Sequence, residues 1–184
     1  MFAIELNDTA VLRPLEPWQA EEFIANIDRC RNHISPWVGA RFVAKDLDDA
    51  RAVLRRYADG QAADKQRIFG IWRDGTLVGG TMFVSFDAEK GVCEIGCWLE
   101  PAAEGGGLIT TAVGHLLDWA FQVRGLSRAE WWTVADNEPS IKVARRLGMS
   151  LEGTLRQYNP GPDGRRDEKV YAILAHEWRD RPGS

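Results

Sequence analysis

"PAAEGGGLITTAVGHLLDWAF", residues 101–121, places three consecutive glycines directly before a predicted amphipathic helix. The first turn of a helix leaves about four N–H groups unpaired and carries a partial positive charge, so glycines there let an anion approach the backbone closely. A phosphate is the anion that suits this arrangement, although a tight strand-to-helix turn also uses glycine. The stretch has neither the Gly-Lys-Ser/Thr of a nucleotide P-loop nor the full Gly-x-Gly-x-x-Gly spacing of a dinucleotide-binding fold.

The composition predicts one domain over residues 1–180, followed by a loose tail at 181–184, because 184 residues with 45% hydrophobic content can bury one sizeable core. The net charge of -4 comes from mixed charges and gives no general attraction for nucleic acid. No apolar run approaches the roughly 18 residues that a membrane span requires. We therefore expect a cytoplasmic protein without nucleic-acid or membrane partners. The scattered cysteines and histidines predict no metal site.

Alternating hydrophobic patterns predict an α/β fold with a mixed sheet. The clearest β signal is a hairpin around Asp74-Gly75, a pair that favours tight two-residue turns. A helix capped by Asn137 follows the strand at 128–135. The other predicted elements are strands at 10–15, 91–100, 151–158 and 168–174 and helices at 18–30, 46–60 and 108–121.

The strand that precedes the glycines has two different faces. Alternation puts Cys97 and Leu99 on one face and Glu94 and Trp98 on the other, unless a bulge at Gly96 shifts the pattern. Glu94 is therefore predicted to point at something other than the core.

The order of motifs resembles the GNAT superfamily of acyl-CoA-dependent N-acyltransferases, and within it the RimJ/RimL-like ribosomal-protein N-acetyltransferases. The motifs that carry the resemblance are Glu-Ile-Gly-x-Trp-Leu at 94–99, Gly-x-Gly-Leu at 105–108, Asn-x-x-Ser at 137–140, Arg-Leu-Gly-Met at 146–149 and Glu-Gly-Thr-Leu-Arg-Gln at 152–157. The resemblance implies a mostly antiparallel, twisted sheet with about four flanking helices and two splayed central strands.

By the same resemblance, the cofactor is acetyl-CoA, with succinyl-CoA as an alternative to which Arg156, Arg165 and Arg166 lend weak support. The residues implied to bind it are Trp98, Leu99, Glu104, Gly105, Gly106, Gly107, Leu108, Ile109, Asn137 and Ser140. Two residues depart from the family pattern, Ala102 and Glu104. A carboxylate repels a nearby pyrophosphate, so we expect Glu104 to point to solvent or to weaken cofactor binding.

Acyl transfer to an amine requires a neutral amine, a stabilised oxyanion and a proton for the departing thiolate. The resemblance implies that Ser140 donates the proton and that Asn137 binds the pantetheine arm; the alternative is that the pair only caps a helix. The family position of a proposed base holds Asn159, which cannot accept a proton from an ammonium. Glu94 is the best substitute, unless it is a surface carboxylate or the enzyme has no dedicated base.

Four residues are predicted to border the amine acceptor: Trp37, Cys97, Tyr158 and Asp167. The small Cys97 would widen the acceptor side or admit a longer acyl group, and Asp167 would hold the amine. The acceptor is open among a peptide or protein N-terminus, a polyamine or amino acid, and an antibiotic. A homodimer is common in the branch. A non-catalytic acyl-CoA sensor is the rival function.

Overall fold

A computed structural model describes residues 3–161 and 164–181, which form eight strands and five α-helices. In chain order these are β1 Ile4–Asn7, β2 Ala10–Pro14, α1 Ala20–Ile34, α2 Leu47–Ala62, β3 Arg67–Arg73, β4 Thr76–Asp87, β5 Val92–Leu99, α3 Leu108–Asp118, β6 Arg128–Val134, α4 Glu138–Arg146, β7 Ser150–Gly161, β8 Gly164–Leu174 and α5 Ala175–Arg179. Among the described residues, no helix is long and apolar enough to cross a membrane.

The strands form one sheet in the order β1-β2-β3-β4-β5-β6-β8-β7. Each neighbouring pair is antiparallel except β5 and β6, which are parallel because α3 crosses between them. The predicted α/β fold with a mixed, mostly antiparallel sheet is confirmed. The short strand β1 and the five-residue helix α5 were not predicted, since neither is long enough to show a periodic pattern.

The two parallel strands separate soon after they meet. β5 pairs with β6 only at Val92, Cys93 and Glu94, whereas it stays paired with β4 as far as Leu99. β6 likewise stays paired with β8 as far as Val134. Residues 95–99 of β5 are therefore not paired with β6, and a wedge-shaped gap opens between these two strands in the middle of the sheet. This confirms the splayed central strands.

Helices cover both faces of the sheet. On one face α3, α4 and α5 pack on a core that includes Phe83, Ile95 and Trp131. On the other, α1 and α2 pack on a core that includes Phe23 and Trp98. The residues of β5 alternate between the two faces of the sheet as predicted. The bulge considered at Gly96 is absent; the register between β4 and β5 shifts in β4 instead, between Phe83 and Ser85.

Two local signals, at the start of α2 and at the turn between β3 and β4, have the geometry that their residues favour. The Asp46 side chain accepts a hydrogen bond from Asp49 N at 2.9 Å and caps α2. Asp74 and Gly75 have φ of 48° and 79°, as the predicted hairpin turn requires. The predicted end of α2 at Gly60 is wrong, because the helix continues to Ala62. In the predicted tail, Arg181 is described and lies over the Trp178 ring, whereas 182–184 fall outside the described residues.

Candidate active site

The gap between β5 and β6 opens into a cavity of about 1250 Å³. Its walls come from the α1–α2 connection, β5, the glycine loop, the first turns of α3 and α4, β6, and the β7–β8 hairpin. Because the gap passes through the sheet, one cavity joins the α3/α4 face to the α1/α2 face. Pockets for single small ligands have volumes of about 300–1,000 Å³, so this cavity has room for a cofactor arm and an acceptor together.

The glycine loop before α3 forms part of the cavity wall. Gly105 and Gly107 line it with φ of 84° and 72°, a left-handed conformation that favours glycine. A Cβ atom at either position would meet no protein atom within 4 Å, so protein crowding does not explain the glycines. The first α3 hydrogen bond runs from Thr111 N to Gly107 O at 3.0 Å, which leaves the preceding amides without helical acceptors. This cradle fits the pyrophosphate of the implied acetyl-CoA.

Gly106 differs from its neighbours, since it does not line the cavity. A Cβ there would lie 3.9 Å from Arg73 Nη2, and Arg73 donates to the carbonyls of Ala102 and Ala103 at 3.3 Å each. Leu108 and Ile109 do line the cavity. The structure thus brings Gly105 and Gly107 to the predicted cofactor site and turns Gly106 toward the arginine that anchors the loop.

Two basic residues were missed by sequence reasoning. Lys142 and Arg146, both on α4, line the same cavity. Residues four apart share one face of a helix, and this face lies beside the Ile141–Ala144 stripe that is buried in the core. Their positive charges favour a phosphate-bearing ligand at the mouth of the cavity.

Glu104 is an exposed residue at the cavity wall. Its Oε1 lies 2.7 Å from Nε2 of His33, in the last turn of α1, and both side chains are partly exposed. The expected exposure of Glu104 to solvent agrees with this position, and its carboxylate also contacts a histidine that sequence reasoning did not indicate.

Ser140 and Asn137 lie at the start of α4, on the cavity wall. Asn137 Oδ1 accepts from Ser140 N at 3.3 Å, so the asparagine does cap the helix. Ser140 Oγ accepts from the indole Nε1 of Trp131 at 2.9 Å. Because an indole N–H only donates, the serine hydrogen remains available for another acceptor. Trp131 is 2% exposed, so it packs in the core and also orients Ser140.

Glu94 lines the cavity from the opposite face of the sheet. Burial, reinforced by the carboxylates of Glu130 and Glu168, raises the pKa of Glu94 to about 7. The Glu130 carboxylate already accepts two hydrogen bonds, from Arg128 Nε at 2.7 Å and from Trp132 Nε1 at 2.9 Å. A carboxyl with a pKa near neutrality is suited to proton transfer at physiological pH.

The end of β5 is fixed by a buried polar network. Trp98 Nε1 donates to Asn26 Oδ1 at 2.8 Å, and Asn26 Nδ2 donates to Glu100 Oε2 at 3.3 Å. The Trp98 ring packs edge-on against Phe23 and Phe42 and is 2% exposed. Trp98 is at the cavity wall, but its indole is occupied in joining β5 to α1.

Cys97 and Leu99 line the cavity from the face of β5 opposite Glu94. Cys97 therefore lies across the strand from Glu94, and its predicted effect, a wider acceptor side or room for a longer acyl group, stays a prediction. Burial raises the pKa of Cys97 to about 12, so its thiol stays protonated and is not an activated nucleophile.

Trp37 lines the cavity, whereas Tyr158 and Asp167 do not. The Arg166 guanidinium lies 4.8 Å from the centre of the Trp37 ring and fixes this wall. Tyr158 is 52% exposed and packs against Trp132 with ring centres 5.9 Å apart. Asp167 Oδ1 accepts from the backbone N–H of Gln157 at 2.8 Å. The structure therefore gives Tyr158 and Asp167 places in the β7–β8 hairpin rather than at the predicted acceptor site.

Comparison with known proteins identifies the family. A model of the acetyltransferase (GNAT) domain matches residues 10–150. The chain is 28% identical over 183 residues to the "Putative ribosomal N-acetyltransferase YdaF" of Bacillus subtilis, covering 97% of this chain and 98% of the relative. It is 30% identical over 135 residues to an uncharacterized N-acetyltransferase, p20, of Bacillus licheniformis, covering 72% and 76%.

The fold is shared with solved structures. The superposition on RimL, a ribosomal L7/L12 alpha-N-protein acetyltransferase in complex with coenzyme A, has a TM-score of 0.88 at 18% identity and covers 95% of this chain and 99% of that one. The likeness confirms the fold inferred from the sheet. Because the family model spans well over half of the sequence, the chain belongs to the GNAT family of N-acetyltransferases.

Proposed function

We propose that the enzyme transfers an acetyl group from acetyl-CoA to a primary amine by direct attack in a ternary complex. The acceptor class is a peptide or protein N-terminus or a small amine. One observation carries this proposal: the cavity in the sheet joins a phosphate cradle and Ser140 on one face to Glu94 on the other. The likeness to the putative ribosomal N-acetyltransferase YdaF supports a ribosomal protein as the first acceptor to test.

Cofactor binding is assigned to the elements at the α3/α4 end of the cavity. The amides after Gly105 and Gly107 would hold the phosphates, and Lys142 and Arg146 would balance their charge. Backbone groups of β5 beyond Glu94 have no partner in the β5–β6 ladder and are open to an extended arm. Acetyl-CoA supplies the acyl group activated as a thioester.

Proton handling is assigned to two side chains on opposite faces of the sheet. Glu94 accepts a proton from the acceptor ammonium, directly or through water, because its pKa near 7 lets it be ionised and still basic at neutral pH. Ser140 keeps its hydroxyl hydrogen free for a departing thiolate, since its Oγ already accepts from Trp131. The protonated thiol of Cys97 supports direct transfer over a covalent enzyme intermediate.

Two of the three arginines that suggested the succinyl alternative have partners within the protein. Arg165 donates to the carbonyls of Gln157 and Tyr158, and Arg166 donates to Pro36 O and to Asp136. Both guanidinium groups are thus already hydrogen-bonded to oxygen atoms of the protein. Acetyl-CoA is the donor that the chain favours.

The test is thiol release from acetyl-CoA and succinyl-CoA with a panel of peptides, polyamines, amino acids and aminoglycosides. We expect release from acetyl-CoA that depends on one acceptor class and falls in Ser140→Ala, while acetyl-CoA affinity is unchanged. Ser150→Ala, at an exposed position on β7, is the matched control. Tight acetyl-CoA binding with no amine-dependent release would instead identify a sensor.

A further inference from the structure

Glu168 is a buried carboxylate that the proposed chemistry leaves unused. It lies on β8 opposite Val134 and lines the cavity, with 7% of the residue exposed. Directly paired residues share a face of the sheet, so Glu168 lies on the same face as Glu94. Among residues 3–161 and 164–181, no side chain or amide donates a hydrogen bond to its carboxylate or forms an ion pair with it.

Two of the arginines that line the cavity contact other groups of the protein. Arg166, two residues before it, binds Pro36 O at 2.8 Å and Asp136 Oδ1 at 2.6 Å. Arg56 of α2 lies over the Tyr57 ring, 5.1 Å from its centre. Burial alone raises the pKa of Glu168, with no protein cation acting against it.

Glu94 is also without a counter-ion, because burial and two carboxylates act on it and no cation does. Partial burial makes a charged carboxylate costly, and two carboxylates in one cavity repel each other. The cost is offset when a ligand supplies positive charge. Within the described part of the chain, no group of three or more His, Cys, Asp or Glu side chains is arranged to hold a metal ion. The positive charge is therefore expected from an organic cation.

The two carboxylates stand at different depths. Glu94 is level with Glu130, at the closed end of the gap, whereas Glu168 is level with Val134, four residues further along β6. Four residues of strand span about 13 Å. An acceptor that runs along the gap therefore meets Glu94 where the strands join and Glu168 nearer the open end.

We propose that the acceptor carries two positive charges, with its reacting amine at Glu94 and a second cationic group bound by Glu168. This deepens the proposed function and rests on it. A charge-assisted hydrogen bond from an ammonium or guanidinium group would satisfy Glu168. A linear diamine or a peptide with a basic side chain near its N-terminus supplies this chemistry, and separate arms of the experiment distinguish them.

The experiment compares monocationic and dicationic acceptors at pH 8. One arm uses linear monoamines and diamines of equal length; the other uses peptides that differ by lysine or norleucine near the N-terminus. We expect kcat/KM about tenfold higher for the dication. Glu168→Gln should abolish this preference by raising KM for the dication. Because the Glu168 carboxylate also raises the pKa of Glu94, the variant should change kcat by the same factor for both acceptors, and that factor cancels in their ratio. Glu89→Gln, which removes an exposed carboxylate outside the cavity, should leave the preference intact.

Two results would overturn the proposal. One is a wild-type enzyme with equal kcat/KM for both acceptors; the other is a Glu168→Gln enzyme that loses activity equally with both. Glu168→Asp should restore part of the preference, which a purely structural role would not require. Calorimetric titration with the same amines tests binding without turnover, and there the variant should lose about tenfold affinity for the dication only. Absence of turnover with every acceptor would refute the proposed function, while this titration would still decide the role of Glu168.

Discussion

Replacing Glu94 with glutamine should stabilise the protein at alkaline pH and inactivate it. The side chain keeps its shape but loses a charge whose burial raises the pKa from its ordinary value of 4.5 to about 7. The folded protein therefore holds this proton more tightly than the unfolded chain does. Between these two values the unfolded state binds fewer protons, so the wild-type free energy of unfolding falls as pH rises through this window.

The magnitude follows from the interval between 4.5 and about 7. At about 1.36 kcal/mol per pH unit it corresponds to about 3 kcal/mol. Glu94 is partly exposed, and water screens its charge, so we expect a gain of about 1–2 kcal/mol for Glu94→Gln above pH 7. Below about pH 4 the wild-type carboxyl is protonated in both states, and the difference should vanish.

Urea unfolding at pH 4 and pH 8 measures the stability difference, and kcat/KM across the same range measures the catalytic one. Loss of a positioned proton acceptor should lower kcat/KM about 100-fold at pH 8. The ratio of wild-type to variant kcat/KM should rise with pH through about 7, and the ionisation of the acceptor cancels in this ratio. A variant that is less stable at pH 8, or a ratio independent of pH, would refute the assignment of Glu94.

Two further substitutions test the cofactor side. Trp131→Phe removes the indole donor to Ser140 and should lower kcat about tenfold, with acetyl-CoA affinity unchanged. The control Trp178→Phe loses a comparable indole hydrogen bond outside the cavity and should keep full activity. Equal effects of the two substitutions in steady-state kinetics would contradict the role of Trp131. Gly107→Val should reduce acetyl-CoA affinity, measured by calorimetry, at least 100-fold. The control is Gly125→Val, because Gly125 also has a positive φ, of 69°, but lies outside the cavity; this variant should bind acetyl-CoA normally. Equal losses of affinity would mean that backbone strain is the cause.

The features that could be predicted from the sequence are local ones. The Asn137 cap and the Asp74-Gly75 turn depend on residues within four positions, and both are confirmed. Alternation in β5 placed Glu94 and Trp98 on one face, since a regular strand fixes the face of each residue.

The features that were missed depend on which strands pair and in what register. The contact between Trp131 and Ser140 requires α4 to pack on the face of β6 that carries Trp131. The position of Glu168 requires β8 to lie beside β6. Neither relation follows from spacing. Tyr158 was assigned to the acceptor site because it lies next to Asn159, the family position of the proposed base, and sequence alone does not show which way its side chain points. The register shifts between Leu155 and Asn159 and Gln157 has a φ of 54°, so the alternation breaks there.

The most direct test of the account is mass spectrometry of acceptor and enzyme in a single turnover with acetyl-CoA that carries an isotope-labelled acetyl group. We predict that the label appears on the primary amine of the acceptor, that it never appears on the protein, and that Ser140→Ala slows its appearance. Label on the protein before it reaches the amine would contradict direct transfer in the cavity between β5 and β6.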